Sequence, residues 1–243
     1  MTEMPPIAVI AGGLATRMKP LTEKIPKSML EVCGEPFIAH QLRLFHREGL
    51  TRVVLCVGFL GEMIRDFVGT GVRFGLEVSY SFDGPHLLGT GGAVRKALPL
   101  LGGEFLVTYG DSYLDIPYKP VVQAFRASGA VALMTVFHNA GRWDTSNIEF
   151  VDGKIIDYTK QPTEKMAHID YGLSMLRAGV FDNFADDESF DLATLYHKLV
   201  QENRMSGFEV STRFFEIGSP AGLAELDAHL RKAHAASGES RAV

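Results

Sequence analysis

A regular alternation of strand and helix patterns in the first half of the chain most constrains the fold. Four segments have apolar or alternating patterns typical of strands, at 7–11, 52–57, 76–82 and 104–109. Helical patterns lie between them, at 36–48, 60–68 and 92–101. Strands joined by helices tend to lie parallel, with helices on both faces of the sheet. The sequence therefore predicts an α/β fold with a mixed, mainly parallel sheet, in which ligands bind beyond the carboxyl ends of the strands.

The second half is less regular and contributes further strands. Its apolar or alternating segments predict strands at 130–137, 147–151, 154–158 and 171–176. Asp152-Gly153, between the second and third of these, is typical of a hairpin turn. Helical patterns cover 192–202, with Asp191 as the capping residue, and the stretch that begins at Ser219-Pro220.

A glycine pair directly follows the first predicted strand. Gly12-Gly13 leaves backbone N–H groups open at the carboxyl end of the sheet, and Arg17 and Lys27 add positive charge at the same place. This combination suits a polyphosphate. The segment is neither a P-loop, because it lacks the terminal Gly-Lys-Ser/Thr, nor the dinucleotide fingerprint, because the third glycine is missing.

The same segment resembles the signature of the sugar-1-phosphate nucleotidyltransferases, a G-G-x-G-T-R loop followed by P-K. Here the signature stands as Gly12-Gly13-Leu14-Ala15-Thr16-Arg17 and Pro26-Lys27. The resemblance extends from Ile7 to about Leu230. It implies a Rossmann-like, glycosyltransferase-A-like fold with a small β-rich sugar-binding lobe.

We expect one domain over 1–236 and a flexible tail over 237–243. Within the domain, a nucleotide-binding half covers about 6–128 and a sugar-binding half covers about 129–236.

The glycine loop departs from the family pattern at Ala15, where glycine is usual. Because a methyl group restricts the backbone, we expect a negative φ at Ala15. The resemblance implies that the nucleotide contacts Ala11, Gly12, Gly13 and Thr16.

A carboxylate follows the fourth predicted strand, at Gly110-Asp111. It would repel a triphosphate unless a divalent cation lay between them, and Mg²⁺ prefers one or two carboxylates together with phosphate oxygens. The resemblance implies the same, since the family's Gly-Asp aspartate binds a metal. Glu216 stands where the family has a second aspartate, before the last helix. We therefore expect Mg²⁺ at Asp111 and Glu216.

A second glycine-rich stretch, 88–93, opens a predicted helix. The resemblance implies that Gly89, Thr90 and Gly91 contact the nucleotide base. Its L-G-T-G-G-A form is similar to guanylyltransferases acting on heptose or mannose 1-phosphates. The neighbouring segments 73–76 and 96–101 are closer to uridylyltransferases acting on N-acetylmuramate 1-phosphate. The two cues conflict, and the glycine loop favours GTP.

The sugar phosphate is expected to meet residues from both halves of the chain. Lys160 occupies the lysine position of the family's Glu-Lys-Pro, although Thr159 replaces the acid. Asp170 and Gly172 stand where the family has Asn-x-Gly. The resemblance implies that these three residues and Gly110 bind the sugar phosphate.

The reaction implied is transfer of a nucleoside monophosphate from a nucleoside triphosphate to a sugar 1-phosphate, with release of pyrophosphate. Arg17 would hold the triphosphate, and Lys27 would bridge phosphates near the α-phosphorus. The nucleophile is already ionised, so alignment and charge neutralisation should dominate catalysis.

Three alternatives stay open beside this reaction. They are uridylyl transfer to a hexosamine-type sugar 1-phosphate, a phosphorylated non-sugar acceptor, and a non-catalytic subunit that senses nucleotide sugars.

Charge and composition exclude some classes of binding partner. A net charge of −5 argues against a nucleic-acid-binding face. No apolar run reaches the roughly 18 residues of a membrane helix, and the N-terminus lacks a signal-peptide pattern. Cys33 and Cys56 form neither a disulfide framework nor a zinc site. We expect a cytoplasmic monomer or homodimer whose partners are a nucleoside triphosphate and a sugar 1-phosphate, with no nucleic acid and no membrane.

Overall fold

The computed structural model describes residues 3–139, 141–143, 145–159 and 161–237, without the side chains of Arg17 and Ser237. The predicted tail beyond residue 237 lies outside the described residues. The strands are β1 (Ile7–Ile10), β2 (Glu31–Val32), β3 (Glu35–Pro36), β4 (Arg52–Val57), β5 (Glu77–Phe82), β6 (Glu104–Tyr109), β7 (Ser112–Tyr113), β8 (Ala132–His138), β9 (Ile148–Val151), β10 (Lys154–Tyr158), β11 (His168–Arg177), β12 (Met205–Val210) and β13 (Phe215–Glu216). The α-helices are α1 (Phe37–Arg47), α2 (Gly61–Val68), α3 (Gly89–Leu101), α4 (Tyr118–Ser128), α5 (Leu192–Gln201) and α6 (Pro220–Ser237).

A nine-stranded sheet passes through both halves of the chain, in the order β5-β4-β1-β6-β11-β8-β12-β10-β9. The first four strands are parallel, and Ile7 of β1 lies between Val53 of β4 and Leu106 of β6. In the rest of the sheet β11 is antiparallel to β6 and β8, while β12 is parallel to β8. The α/β class is confirmed. The mainly parallel character belongs to the first half, because several strands of the second half pair antiparallel with their neighbours.

Strand β1 shows that helices cover both faces of the sheet. Ile7 and Val9 are fully buried and pack with residues of α1 and α4. Ala8 is also fully buried and packs with residues of α3 and α5. Because successive side chains of a strand point to opposite faces, a strand covered on both sides is apolar at every position.

A third apolar cluster joins α6 to the hairpin of β2 and β3, through Leu226, Leu230 and Val32. The predicted start of this helix is confirmed. The hydroxyl of Ser219 accepts a hydrogen bond from the N–H of Gly222 at 3.1 Å, and Pro220 takes the first helical position.

The predicted hairpin between β9 and β10 is confirmed. Asp152 and Gly153 have φ values of 49° and 79°, so both turn residues lie in the left-handed region that a two-residue hairpin requires.

Several boundaries differ from the sequence prediction. Helix α3 begins at Gly89 rather than Gly92, and β11 extends to 168–177 rather than 171–176. Helix α4 and strand β12 were not predicted. Their burial depends on neighbours that are distant in sequence, since α4 packs on β8, β11 and β12.

Asp191 does not cap α5 with its side chain. The hydroxyl of Thr90 accepts the hydrogen bond of the Leu192 N–H instead, at 2.7 Å. The capping group of α5 therefore comes from the start of α3, about a hundred residues earlier in the sequence.

Within the described residues, no helix combines the length and the hydropathy needed to cross a membrane.

Candidate active site

A cleft of about 170 Å³ lies at the carboxyl ends of the neighbouring strands β1 and β6. Its walls are formed by Ile10, Ala11, Gly13, Ala15, Lys27, Ser28, Thr90, Tyr109, Gly110 and Asp111. Six of the predicted site residues are thus brought together, namely Ala11, Gly13, Lys27, Thr90, Gly110 and Asp111. This edge of the sheet is where an α/β fold is expected to bind its ligand.

Two glycines allow the loops at this edge to lie close to one another. A β-carbon on Gly110 would lie 2.7 Å from Cβ of Ala11, and one on Gly12 would lie 2.9 Å from the backbone nitrogen of Gly58. Both distances are shorter than real contacts of this kind. Gly12 therefore packs against the loop after β4, whereas Gly13 is exposed and borders the cleft.

Lys27 and Asp111 form an ion pair across the cleft, although 84 residues separate them in sequence. Nζ of Lys27 lies 2.9 Å from Oδ2 of Asp111, and their side chains are 18% and 26% exposed. Lys27 opens a short 3-10 helix over Lys27–Met29 after Pro26, and Asp111 lies between β6 and β7. The pair places a cation and a carboxylate beside the glycine loop.

Glu216 is joined to the Asp111 segment through the backbone. Strand β13 pairs with β7, so that Glu216 lies opposite Ser112, and the N–H of Ile217 donates to the carbonyl oxygen of Asp111 at 2.9 Å. Glu216 does not line the 170 Å³ cleft; it borders a neighbouring pocket of about 280 Å³.

The carboxylates of Asp111 and Glu216 are of the donor type that a hard divalent cation such as Mg²⁺ prefers, and the two residues border different pockets. Both residues offer carboxylate oxygens from paired segments of backbone, and Mg²⁺ commonly takes one or two carboxylates with substrate phosphates and water. Among the described residues there is no group of three or more histidine, cysteine, aspartate or glutamate side chains suited to a metal. A metal here would therefore take its remaining ligands from water or from the substrate.

The expectation of a negative φ at Ala15 is wrong. Ala15 has φ 49° and ψ 42°, the left-handed conformation that glycine adopts more easily. Its carbonyl oxygen accepts hydrogen bonds from the Met18 N–H at 3.0 Å and the Thr22 hydroxyl at 2.9 Å. These contacts hold the loop in this conformation.

The second glycine-rich stretch contacts protein rather than open space. Gly91 is buried, and its N–H donates to the carbonyl oxygen of Phe190 at 2.9 Å. Gly89 has φ 71°, and a β-carbon there would lie 2.7 Å from the same carbonyl oxygen. Thr90 lies between them and borders the cleft. The nucleotide contacts of Gly89 and Gly91 stay predictions.

Asp170 and Gly172 lie near the cleft but do not line it. The N–H of Gly172 donates to Oδ1 of Asp170 at 2.9 Å, and a β-carbon on Gly172 would lie 3.7 Å from the Tyr109 ring. Burial raises the pKa of Asp170 to about 6, although the hydrogen bond from Gly172 lowers it. Burial, and then the charge of Asp170, also raise the pKa of Tyr109.

The other predicted site residues are Arg17, Lys160 and Thr16. The side chain of Arg17 and the whole of Lys160 lie outside the described residues. Thr16 is exposed at the start of the 3-10 helix Thr16–Met18 and does not line the cleft.

Sequence reasoning missed Ser28 and Tyr109, which also line the cleft. Ser28 directly follows Lys27, so the motif itself was a signal for it. Tyr109 lies at the end of a predicted buried strand, where nothing distinguishes it from a core residue.

A family model described as nucleotidyl transferase matches residues 7–224. N-acetylmuramate alpha-1-phosphate uridylyltransferase of Neisseria meningitidis is 30% identical to this chain, over 90% of the chain and 96% of the relative. D-glycero-alpha-D-manno-heptose 1-phosphate guanylyltransferase of Campylobacter jejuni is 25% identical, over 87% of the chain and 94% of the relative.

Solved structures resemble the fold over nearly its whole length. HddC from Yersinia pseudotuberculosis, complexed with GMP-PN, has a TM-score of 0.77 at 21% identity, over 93% of this chain and 100% of that one. A putative glucose-1-phosphate thymidylyltransferase from Bacillus anthracis has a TM-score of 0.81 at 20% identity, over 94% of this chain and 95% of that one. At these identities the likeness concerns the fold, and it confirms the predicted glycosyltransferase-A-like class.

Proposed function

Because the chain belongs to the nucleotidyl transferase family, in its sugar-1-phosphate branch, we propose that it transfers GMP from GTP to a heptose or mannose 1-phosphate and releases pyrophosphate. The observation that carries the proposal is the ion pair of Lys27 and Asp111, at 2.9 Å beside the glycine loop. It gathers a cation and a metal-binding type of side chain where two anionic substrates would meet.

In this reaction the protein aligns the two substrates and neutralises the negative charge of their phosphates. The sugar phosphate oxygen is already ionised, so it needs no general base to attack the α-phosphorus in line with the departing pyrophosphate. Lys27 neutralises phosphate charge near the α-phosphorus, and Arg17 holds the triphosphate. Asp111 and Glu216 would hold Mg²⁺, which would supply further positive charge beside the phosphates.

The sugar phosphate is held by Lys160, Gly110 and Gly172, with Asp170 at its hydroxyl groups. Asp170 is largely buried, and burial already raises its pKa to about 6. A carboxylate on the acceptor would add a second negative charge near this site, whereas sugar hydroxyls donate hydrogen bonds to it. This supports a neutral sugar such as heptose or mannose.

GTP is supported by the L-G-T-G-G-A form of residues 88–93 and by the guanylyltransferase from Campylobacter jejuni. A second candidate is UTP with N-acetylmuramate 1-phosphate. It is favoured by the 30% identity to the uridylyltransferase from Neisseria meningitidis over 90% of the chain.

Pyrophosphate release from a matrix of substrates tests the proposal. The four nucleoside triphosphates are paired, with Mg²⁺, with heptose, mannose, glucose and N-acetylmuramate 1-phosphates and with inositol 1-phosphate as a non-sugar acceptor. We expect the highest kcat/KM with GTP and heptose or mannose 1-phosphate. A preference for UTP and N-acetylmuramate 1-phosphate would establish the second candidate. No pyrophosphate from any pair would favour a non-catalytic sensing subunit.

A lysine substitution tests the role of the ion pair. Lys27→Met should lower kcat by at least about 10²-fold, the usual loss of one electrostatic stabiliser, without unfolding the protein. Lys24→Met is the matched control, because Lys24 is exposed on the same segment. Equal turnover in both variants would contradict the proposed site.

A further inference from the structure

The turn that carries Asp111 is held by a side chain of helix α1. Nε2 of Gln41 donates hydrogen bonds to the carbonyl oxygens of Tyr109 and Ser112, each at 2.8 Å. These carbonyls flank Gly110-Asp111 on its two sides. A single side-chain amide therefore closes the turn around the carboxylate.

Gln41 makes these bonds at the expense of its own carbonyl group. Gln41 is 1% exposed, and within the described part of the chain its Oε1 is buried without a hydrogen-bond partner. Only the amide NH₂ can donate to two carbonyl oxygens, so the partners determine its orientation. A buried acceptor left unsatisfied is unfavourable, and such groups in native structures call for an explanation. Clamping the turn is the explanation that the contacts supply.

Two backbone hydrogen bonds complete the support of the turn. The N–H of Gly110 donates to the carbonyl oxygen of Ile10 on β1, and the N–H of Ile217 donates to that of Asp111, each at 2.9 Å. The turn is thus tied to β1, to the segment after β13 and to α1. Of these three ties, only the one from α1 comes from a side chain, so it can be removed by substitution.

We propose that Gln41 is a positioning residue, which holds the turn so that the Asp111 carboxylate meets Lys27 and, in the proposed function, a divalent ion. The inference rests on the proposed function for the role of Asp111. Residues that orient a metal ligand affect metal affinity although they do not touch the ion, and their substitution typically costs about 10- to 100-fold in affinity or activity.

Metal binding tests this role apart from turnover. Mn²⁺ alone is titrated into the protein and followed by electron paramagnetic resonance, for the wild type and for Gln41→Met, which keeps the length of the side chain and removes both donors. We expect the half-saturating Mn²⁺ concentration to rise about tenfold. Leu42→Val is the control: it trims a fully buried core residue of the same helix and should leave Mn²⁺ binding unchanged.

A double-mutant cycle distinguishes positioning from general packing. If Gln41 acts through Asp111, Gln41→Met should weaken Mn²⁺ binding in the wild type and add no further loss in Asp111→Asn. The same added loss in both backgrounds, or unchanged Mn²⁺ binding by Gln41→Met, would overturn the inference. If Gln41→Met does not fold, Gln41→Leu also removes both donors without adding a charge, with the same expected result.

Failure of the proposed function would be seen separately. A wild type that binds Mn²⁺ but releases no pyrophosphate from any substrate pair would reject the proposed reaction, and the Mn²⁺ cycle would still test Gln41. A wild type that binds no Mn²⁺ would overturn the inference itself.

Discussion

The ring of Phe190 occupies the position that a β-carbon on Gly91 would need. Such a carbon would lie 2.2 Å from Cε2 of the ring. The ring cannot easily move, because it is stacked on Phe184 with their centroids 4.0 Å apart. The glycines that open α3 therefore admit the segment before α5, and this packing fixes Thr90 at the rim of the cleft.

Gly91→Ala should accordingly destabilise the protein by about 1–3 kcal/mol, the usual cost of overpacking. The measurement is the free energy of unfolding in urea. Gly13→Ala is the control, because no atom lies within 4 Å of the position of its added carbon. Equal free energies of unfolding for the two variants would show that the Phe190 ring moves aside without cost.

Ala15→Gly should stabilise the protein by about 1 kcal/mol. The native left-handed conformation of Ala15 costs about 1–2 kcal/mol for a residue with a β-carbon, and the added freedom of the unfolded glycine cancels part of the gain. Urea unfolding measures the difference. Ala233→Gly is the control: it places a glycine at an exposed position of helix α6 and should lower the free energy of unfolding. A lower free energy of unfolding for Ala15→Gly would contradict the backbone strain at Ala15.

Two buried serines should respond oppositely to alanine. Ser28 is 2% exposed, and its hydroxyl has no hydrogen-bond partner among the groups that the structure describes. Ser174 is 3% exposed and is hydrogen-bonded to Tyr196. Removing an unsatisfied hydroxyl recovers its desolvation cost, whereas removing a bonded one loses about 1 kcal/mol.

In thermal unfolding, Ser28→Ala should therefore raise Tm by a few degrees and Ser174→Ala should lower it. A lower Tm for Ser28→Ala would indicate a structural hydrogen bond at this hydroxyl.

The free energy of unfolding should depend on pH through the carboxyl group of Asp170. Burial raises its folded pKa from 3.8 to about 6, so between these values the folded state binds more protons than the unfolded state. Its contribution is most favourable below about pH 4 and is lost as the pH rises through about 6. A shift of about two units corresponds to at most roughly 3 kcal/mol.

The comparison is urea unfolding of the wild type and Asp170→Asn from pH 4 to 8. Relative to the wild type, Asp170→Asn should become more stable as the pH rises from 4, and the difference should level off above the folded pKa of about 6. A difference that does not change with pH would contradict the burial of an ionisable Asp170.

The site was only partly predictable from sequence. Gly13, Lys27 and Gly110-Asp111 were predictable because strand ends and short polar motifs are local signals, and the structure brings them to one cleft. Gln41 had no such signal, because a glutamine inside an amphipathic helix looks like any other polar position. The glycines at 89–92 carried a signal, but the sequence could not reveal that Phe190 and Glu188 approach them.

By itself, the sequence determined the alternating strands and helices, the hairpin at Asp152-Gly153 and the residue types at the cleft, because these follow from periodicity and from short-range backbone preferences. Tertiary structure alone decided that Lys27 meets Asp111, that Gln41 closes its turn and that Ala15 adopts a left-handed conformation. The first two depend on contacts between residues 68 to 84 positions apart in sequence, about which local pattern carries no information. The conformation of Ala15 depends on the hydrogen bonds that its carbonyl oxygen accepts from Met18 and Thr22, which the preference of alanine for negative φ does not reveal.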